Sequence, residues 1–152
     1  MAVSKGGLQY RFVIPGTSLT ASSAWSVSGE RNMIWIANIV VALVAALHVY
    51  FLILEMFLWT KPLGLKTFRN SLEKATDSAV LAANQGLYNG FLAAGLVWGL
   101  VHSNPGFAFQ IKMFFLLCVI VAGVYGAVTV SRRILWVQAA PAAIALILLW
   151  LA

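Results

Sequence analysis

The sequence predicts an all-α integral membrane protein, a four-helix bundle with its N-terminus and C-terminus outside, and three observations lead there. Of its 152 residues 62% are hydrophobic and 9% charged, against roughly half and about a quarter in an average soluble domain. The apolar residues lie in four long runs rather than in the broken stripes of amphipathic soluble helices. Six of the ten Lys and Arg residues lie between those runs, where they set orientation in a bilayer, and Lys5, Arg11 and Arg31 precede the first. The net charge of +6 is therefore a topology signal, the expected partner is the lipid bilayer, and no nucleic-acid partner is expected.

Met1–Asn32 is polar and rich in Ser, Thr and Gly, and its apolar stretch Phe12–Ile14 is too short for a secretory signal, so residues 1–32 are expected to be a disordered tail. Gly29 and Glu30 can be encoded by purine-rich codons just ahead of Met33, where a bacterial ribosome-binding sequence lies, so translation is expected to start at Met33. Residues 33–152 then form a single transmembrane domain with spans at about 33–59, 78–101, 107–130 and 134–152. Each approaches or exceeds the roughly 20 residues a hydrocarbon core requires. Pro62 and Gly64 mark the exit of the first span, and Ser71–Asp77 reads as a surface helix in the connection. His102-Ser103-Asn104-Pro105-Gly106 is a tight turn, and Pro141 is tolerable inside the fourth span because neighbouring helices can satisfy the carbonyl it frees.

Lys61, Lys66, Arg69 and Lys74 fill the first connection, Arg132 and Arg133 the third, and the second holds no Lys or Arg. The first and third loops are thus expected in the cytoplasm, the protein in a bacterial inner membrane, and Lys112 snorkelling to the outer face.

An ionisable residue inside a span is costly, and so marks a functional candidate. His48 and Glu55 stand seven residues apart, about two helical turns, on one face of the first span; they are the candidate catalytic acid/base pair. Asn84, Gln85, Tyr88 and Asn89 share a stripe of the second span at three- and four-residue spacing, and Tyr125 and Gln138 lie at comparable depth. These six are the candidate ligand-binding residues. Counting depth from the cytoplasmic ends sets Glu55 opposite Asn84 or Gln85, and His48 opposite Asn89. The competing reading is that such amides only bond helix to helix, each contributing about 1 kcal/mol. No metal site is expected, no cofactor is indicated, and the lone Cys118 is read as packing. Ala82, Gly86, Gly90 and Ala94 form one small-residue seam, and Ala122 with Gly126 another; the Gly86/Gly90 and Ala122/Gly126 seams suit close packing within the chain or homo-oligomerisation. Trp35, Trp59, Trp98, Trp136 and Trp150 fall mostly near span ends, as an aromatic belt does.

The stretches LHVYFLILEMFLWTKPLG (Leu47–Gly64), LAANQGLYNGFLAAGLVWGL (Leu81–Leu100) and VAGVYGAVTVSRRILWVQAAPA (Val121–Ala142) resemble the small bacterial membrane family catalogued as domain of unknown function thirteen-oh-four, over essentially Met33–Ala152. The resemblance implies a four-span inner-membrane protein and supplies no activity. A more distant likeness is architectural. Membrane-associated eicosanoid and glutathione metabolism proteins also have four spans, an outward N-terminus, a long basic first loop and a cytoplasm-facing polar site. Their second helix carries an Asn-Glu-Asn pattern whose positions here are Gln85, Tyr88 and Asn89, so the acidic member is missing and only Glu55, from another helix, can stand in.

The functional expectation is a polar pocket, open to the cytoplasm, that binds and transforms a small amphiphile or thiol compound. The alternatives are a secondary or proton-coupled transporter, or a structural membrane protein without catalysis. Mass spectrometry of the protein expressed from its own promoter is expected to find Met33 at the N-terminus; recovery of Met1 or the tail would contradict that start.

Overall fold

The computed structural model describes residues 21–152. In chain order these form α1 (Ala21–Met56), α2 (Pro62–Phe68), α3 (Leu72–Asp77), α4 (Ala79–Val101), α5 (Pro105–Thr129), one π turn (Leu135–Ala139) and α6 (Ala140–Leu151). The long helices close a ring: α1 packs on α4 and α6, and α5 packs on α4, α6 and the π turn.

The helix α1 begins at least at Ala21, so Ala21–Asn32, expected within a disordered tail, is helical; residues 1–20 lie outside the described residues. Once the apolar part of α1 has formed, each added residue gains a backbone hydrogen bond without a new nucleation cost, and polar Ser and Glu residues are no bar to that extension. The connection after α1 is more ordered than a loop. Pro62 starts α2, where its missing N–H costs nothing, and Arg69 ends it in the left-handed region at φ 56. Ser71 caps α3 by accepting from the Lys74 N–H at 3.3 Å, which gives the expected surface helix its start. Trp59 packs against Phe68 with the rings tilted by 50° and 4.6 Å between their centres, and donates its Nε1–H to Ser78 Oγ at 3.2 Å. The connection is thereby folded back against the head of α4.

Between α4 and α5, Asn104 Oδ1 accepts from the Phe107 N–H at 3.1 Å and Pro105 occupies the first turn. Ahead of Pro141 the helix widens, and Ala140 N–H reaches back to the Leu135 carbonyl. A proline has no N–H for the carbonyl four residues earlier and its ring crowds it, which favours a wider turn at that point.

The centre of the ring is built mainly from small side chains. Ala37, Val41, Val44 and Ala45 of α1 meet Leu96, Leu116, Val119, Ala142, Ala145 and Leu149. Many of the larger apolar groups point the other way: Leu43, Phe57, Phe91, Phe114, Trp136 and Trp150 are all exposed. Two stretches, Arg31–Met56 and Pro105–Thr129, are long and apolar enough to cross a membrane, and only 28% and 22% of their most apolar windows are buried. That separates them from the mostly buried central helix of a water-soluble protein. Leu135–Leu151 is apolar but shorter, while Asn84, Gln85 and Asn89 dilute the apolar character of α4.

Small residues set the helix spacing. A Cβ built on Gly123 would lie 2.8 Å from the backbone nitrogen of Ala139, so α5 touches the π turn main chain to main chain. Gly123→Ala is expected to destabilise the fold by about 1–3 kcal/mol through overpacking. Gly29→Ala, with nothing within 4 Å of the added carbon, should leave the unfolding midpoint unchanged or slightly raised. Equal midpoints for wild type and Gly123→Ala in thermal unfolding would contradict the contact.

Candidate functional site

The face of α1 that carries Glu55 is held against α4 by two glycines. A Cβ on Gly86 would meet Met56 Cγ at 2.6 Å and Glu55 Cβ at 3.1 Å, and one on Gly90 would meet Leu52 Cδ1 at 2.7 Å. The Gly86/Gly90 seam therefore closes inside the chain. Gly126 of the second seam likewise packs against Ile134.

This register decides which polar groups meet. Asn89 Nδ2 donates to Glu55 Oε2 at 2.7 Å. The depth count had set Glu55 opposite Asn84 or Gln85, one turn away. Helical side chains lean toward their own N-terminus, so in an antiparallel pair Glu55 leans toward the level of Leu52 and Gly90, while Asn89 leans back to meet it. Asn84 and Gln85 are exposed instead, as are Tyr88 at 56% and Tyr125 at 70%. Of the four candidates on α4, Asn89 alone turns to the carboxylate.

His48 is fully buried and its partners lie elsewhere. Its Nδ1 sits 2.8 Å from the Val44 carbonyl. A carbonyl only accepts, so Nδ1 carries the proton, and in the neutral ring Nε2 is then an acceptor. Gln138 Nε2 stands 3.4 Å from it, oriented to donate. The expected partner, Asn89, is engaged by Glu55, while the π turn ahead of Pro141 presents Gln138 to the imidazole from the other side of α1. Glu55 and His48 are therefore two separate centres, about 10 Å apart along the axis, each bonded to a different helix. A second proton on His48 would make Nε2 a donor and require the Gln138 amide to turn its oxygen inward.

At the opposite end of the bundle Lys112 departs from the expected snorkelling. It is 6% exposed, and its ammonium donates to Asn38 Oδ1 at 2.7 Å. Asn38 lies outside the inner-half set expected from the sequence; the signal that marks it is an amide within the apolar run Trp35–Val44, as anomalous there as His48. Among the described residues no three His, Cys, Asp or Glu side chains cluster to hold a metal.

The three buried or half-buried pairs each tie α1 to a different helix: Glu55 to α4, His48 to the π turn before α6, Asn38 to α5. Chemically they supply a carboxylate with a neutral donor, an imidazole with a neutral amide, and an ammonium with a neutral acceptor.

Comparison with known proteins places this arrangement in a family. The family model described as protein of unknown function (DUF1304) matches residues 42–150, a range that holds every one of these polar residues except Asn38. The uncharacterized protein YpaA of Lactococcus lactis subsp. lactis (strain IL1403) is 30% identical over 115 residues, covering 74% of this chain and 95% of that protein. No solved structure matches. The chain belongs to the DUF1304 family.

Proposed function

We propose that the chain is a four-span integral membrane protein, in a bacterial inner membrane, whose inner half binds a small amphiphile or thiol compound at the Glu55–Asn89 and His48–Gln138 centres. The spans are α1, α4, α5 and the π turn with α6. The observation that carries the reading is the inversion of polarity across the bundle. Large apolar side chains face outward while a carboxylate, an imidazole and an ammonium turn inward. In water that arrangement would expose far more apolar surface than a monomer tolerates, and in lipid it is the stable one.

In this reading the basic connections carrying Lys61, Lys66, Arg69, Lys74, Arg132 and Arg133 face the cytoplasm and both termini face outward. Glu55 is the acid or base, His48 the proton partner of a separate centre, and Asn89 and Gln138 orient bound polar groups. Asn84, Gln85 and Tyr88 line the approach along the exposed side of α4, and Tyr125 the corresponding edge of α5.

Orientation has a direct measurement. In a Cys118→Ser background, Ser103→Cys is expected to react with a membrane-impermeant maleimide added to intact spheroplasts, and Lys66→Cys only after lysis. The reverse pattern would overturn the orientation, and reaction of both without lysis would overturn the span count.

Binding is tested with 3-(hexylthio)propane-1,2-diol, an uncharged thioether head on a short apolar tail, added to the protein in neutral detergent. It is expected to raise the unfolding midpoint of wild type and to lose that effect in Glu55→Gln, whose own midpoint should change by no more than the equivalent of about 1 kcal/mol. A Glu55→Gln protein that unfolds or dissociates from an oligomer would instead assign the polar centres to assembly. A proton-coupled flux in proteoliposomes that disappears with the same substitution would assign them to transport.

A further inference from the structure

The end of the bundle away from Glu55 is built differently. The start of α5, the first apolar turns of α1, the last turn of α4 and the end of α6 line a half-open cavity of about 260 Å³ there. That is on the order of nine water volumes at about 30 Å³ each, room for a small polar head and a short stretch of chain. Lys112 faces this space from α5. Its stem crosses α4 at Gly99, where a Cβ would lie 2.6 Å from Lys112 Cγ and 3.1 Å from its backbone nitrogen. Any other residue at position 99 would push the lysine out of its place.

An ammonium has three N–H donors, and Asn38 Oδ1 takes one of them. No Asp or Glu side chain is among the residues lining the cavity, although the α-carboxylate of Ala152 borders it; the hydrogen bond the ammonium makes inside the bundle goes to a neutral dipole. A cation held that way is costly to keep; a lysine serving only solubility would extend its flexible stem to the surface. The rest of the lining is graded. His102 and Ser103 of the connecting turn supply a polar rim, and Leu100, Phe109 and Leu149 supply an apolar wall beneath it. Ala152 closes the side.

We propose that this cavity binds the head of an anionic amphiphile, a carboxylate or a phosphate ester. Lys112 Nζ is the charged anchor, Asn38 holds that ammonium in place, and the Leu100, Phe109 and Leu149 wall takes the first carbons of the chain. The site is separate from the Glu55 and His48 centres and does not depend on their role. The same chemistry can come from a bilayer lipid or from a free amphiphile, and the two are separable by experiment.

The full chain is titrated in neutral detergent with decanoate, decyl phosphate and, as the uncharged counterpart, decanol, and the unfolding midpoint is followed. The two anions are expected to stabilise wild type saturably and decanol not to. Lys112→Met, which keeps the stem and removes the charge, should weaken anion binding at least ten-fold, and Lys112→Arg should retain it. Should Lys112→Met fail to fold, Asn38→Asp carries the test, because a carboxylate beside Lys112 occupies the anion's place and should weaken binding at least ten-fold in a folded protein. Equal stabilisation by decanol, or an undiminished anion response in Asn38→Asp, would each overturn the assignment. Native mass spectrometry then identifies the source. Phosphatidylglycerol retained by wild type and not by Asn38→Asp supports a lipid occupant; uptake of decanoate by lipid-free protein, lost in Asn38→Asp, supports a free one.

Discussion

Everything in this bundle depends on how closely α1 lies against its neighbours, and that closeness comes from residues with almost no side chain. Where Gly86 and Gly90 meet Met56 and Leu52, there is no space for even one added carbon without a shift. In the membrane setting proposed above, helices gain little from burying apolar surface, since the surrounding chains are as apolar as leucine, and they hold together through close packing and interhelical hydrogen bonds. The close approach makes the bonds possible: Glu55 and Asn89 span 2.7 Å because Gly86 lets the two backbones near each other. The polar pairs then fix the rotation of α1, because Asn38, His48 and Glu55 must reach three different helices at once.

The two ends of the ring divide the labour. One end holds an acid and an imidazole, each satisfied by an amide that can donate. The other holds an ammonium satisfied by an amide that accepts, beside a cavity. Amides suit these places because they carry donor and acceptor at once and can reverse when the partner's protonation changes. A carboxylate partner would instead favour one charge state. The π turn at Leu135–Ala139 belongs to this logic as well. It is the local distortion Pro141 favours, and it is where the chain presents Gln138 to a fully buried histidine.

Much of this was legible in the sequence. Apolar runs mark the long helices to within a few residues at most ends, and the surface helix expected at Ser71–Asp77 forms behind a Ser71 cap. His48 and Glu55 stand out because ionisable groups are rare in such runs, and each proves to have a polar partner. What could not be read was partner choice. Counting depth along two helices ignores the lean of side chains toward their own N-termini, which moves Glu55 from Asn84 to Asn89. It also treats α1 as facing one neighbour, whereas His48 turns toward the π turn. Lys112 was misplaced for a related reason: snorkelling is the default for a lysine near a span end, and only Gly99 and Asn38, from two other helices, make the inward position possible. The continuation of α1 back to Ala21 is invisible to composition, because helix propagation from a stable span does not need an apolar sequence.

The central claim is that the polar side chains of α1 point inward to these specific partners. Cross-linking in native membranes tests it most directly, using a short bifunctional thiol reagent on double variants in a Cys118→Ser background, with the loop between α1 and α4 cut before electrophoresis. Glu55→Cys with Asn89→Cys, and His48→Cys with Gln138→Cys, are expected to join within one chain, while Glu55→Cys with Asn84→Cys should not. Efficient joining of Glu55→Cys to Asn84→Cys in place of Asn89→Cys, or joining found only between chains, would contradict it.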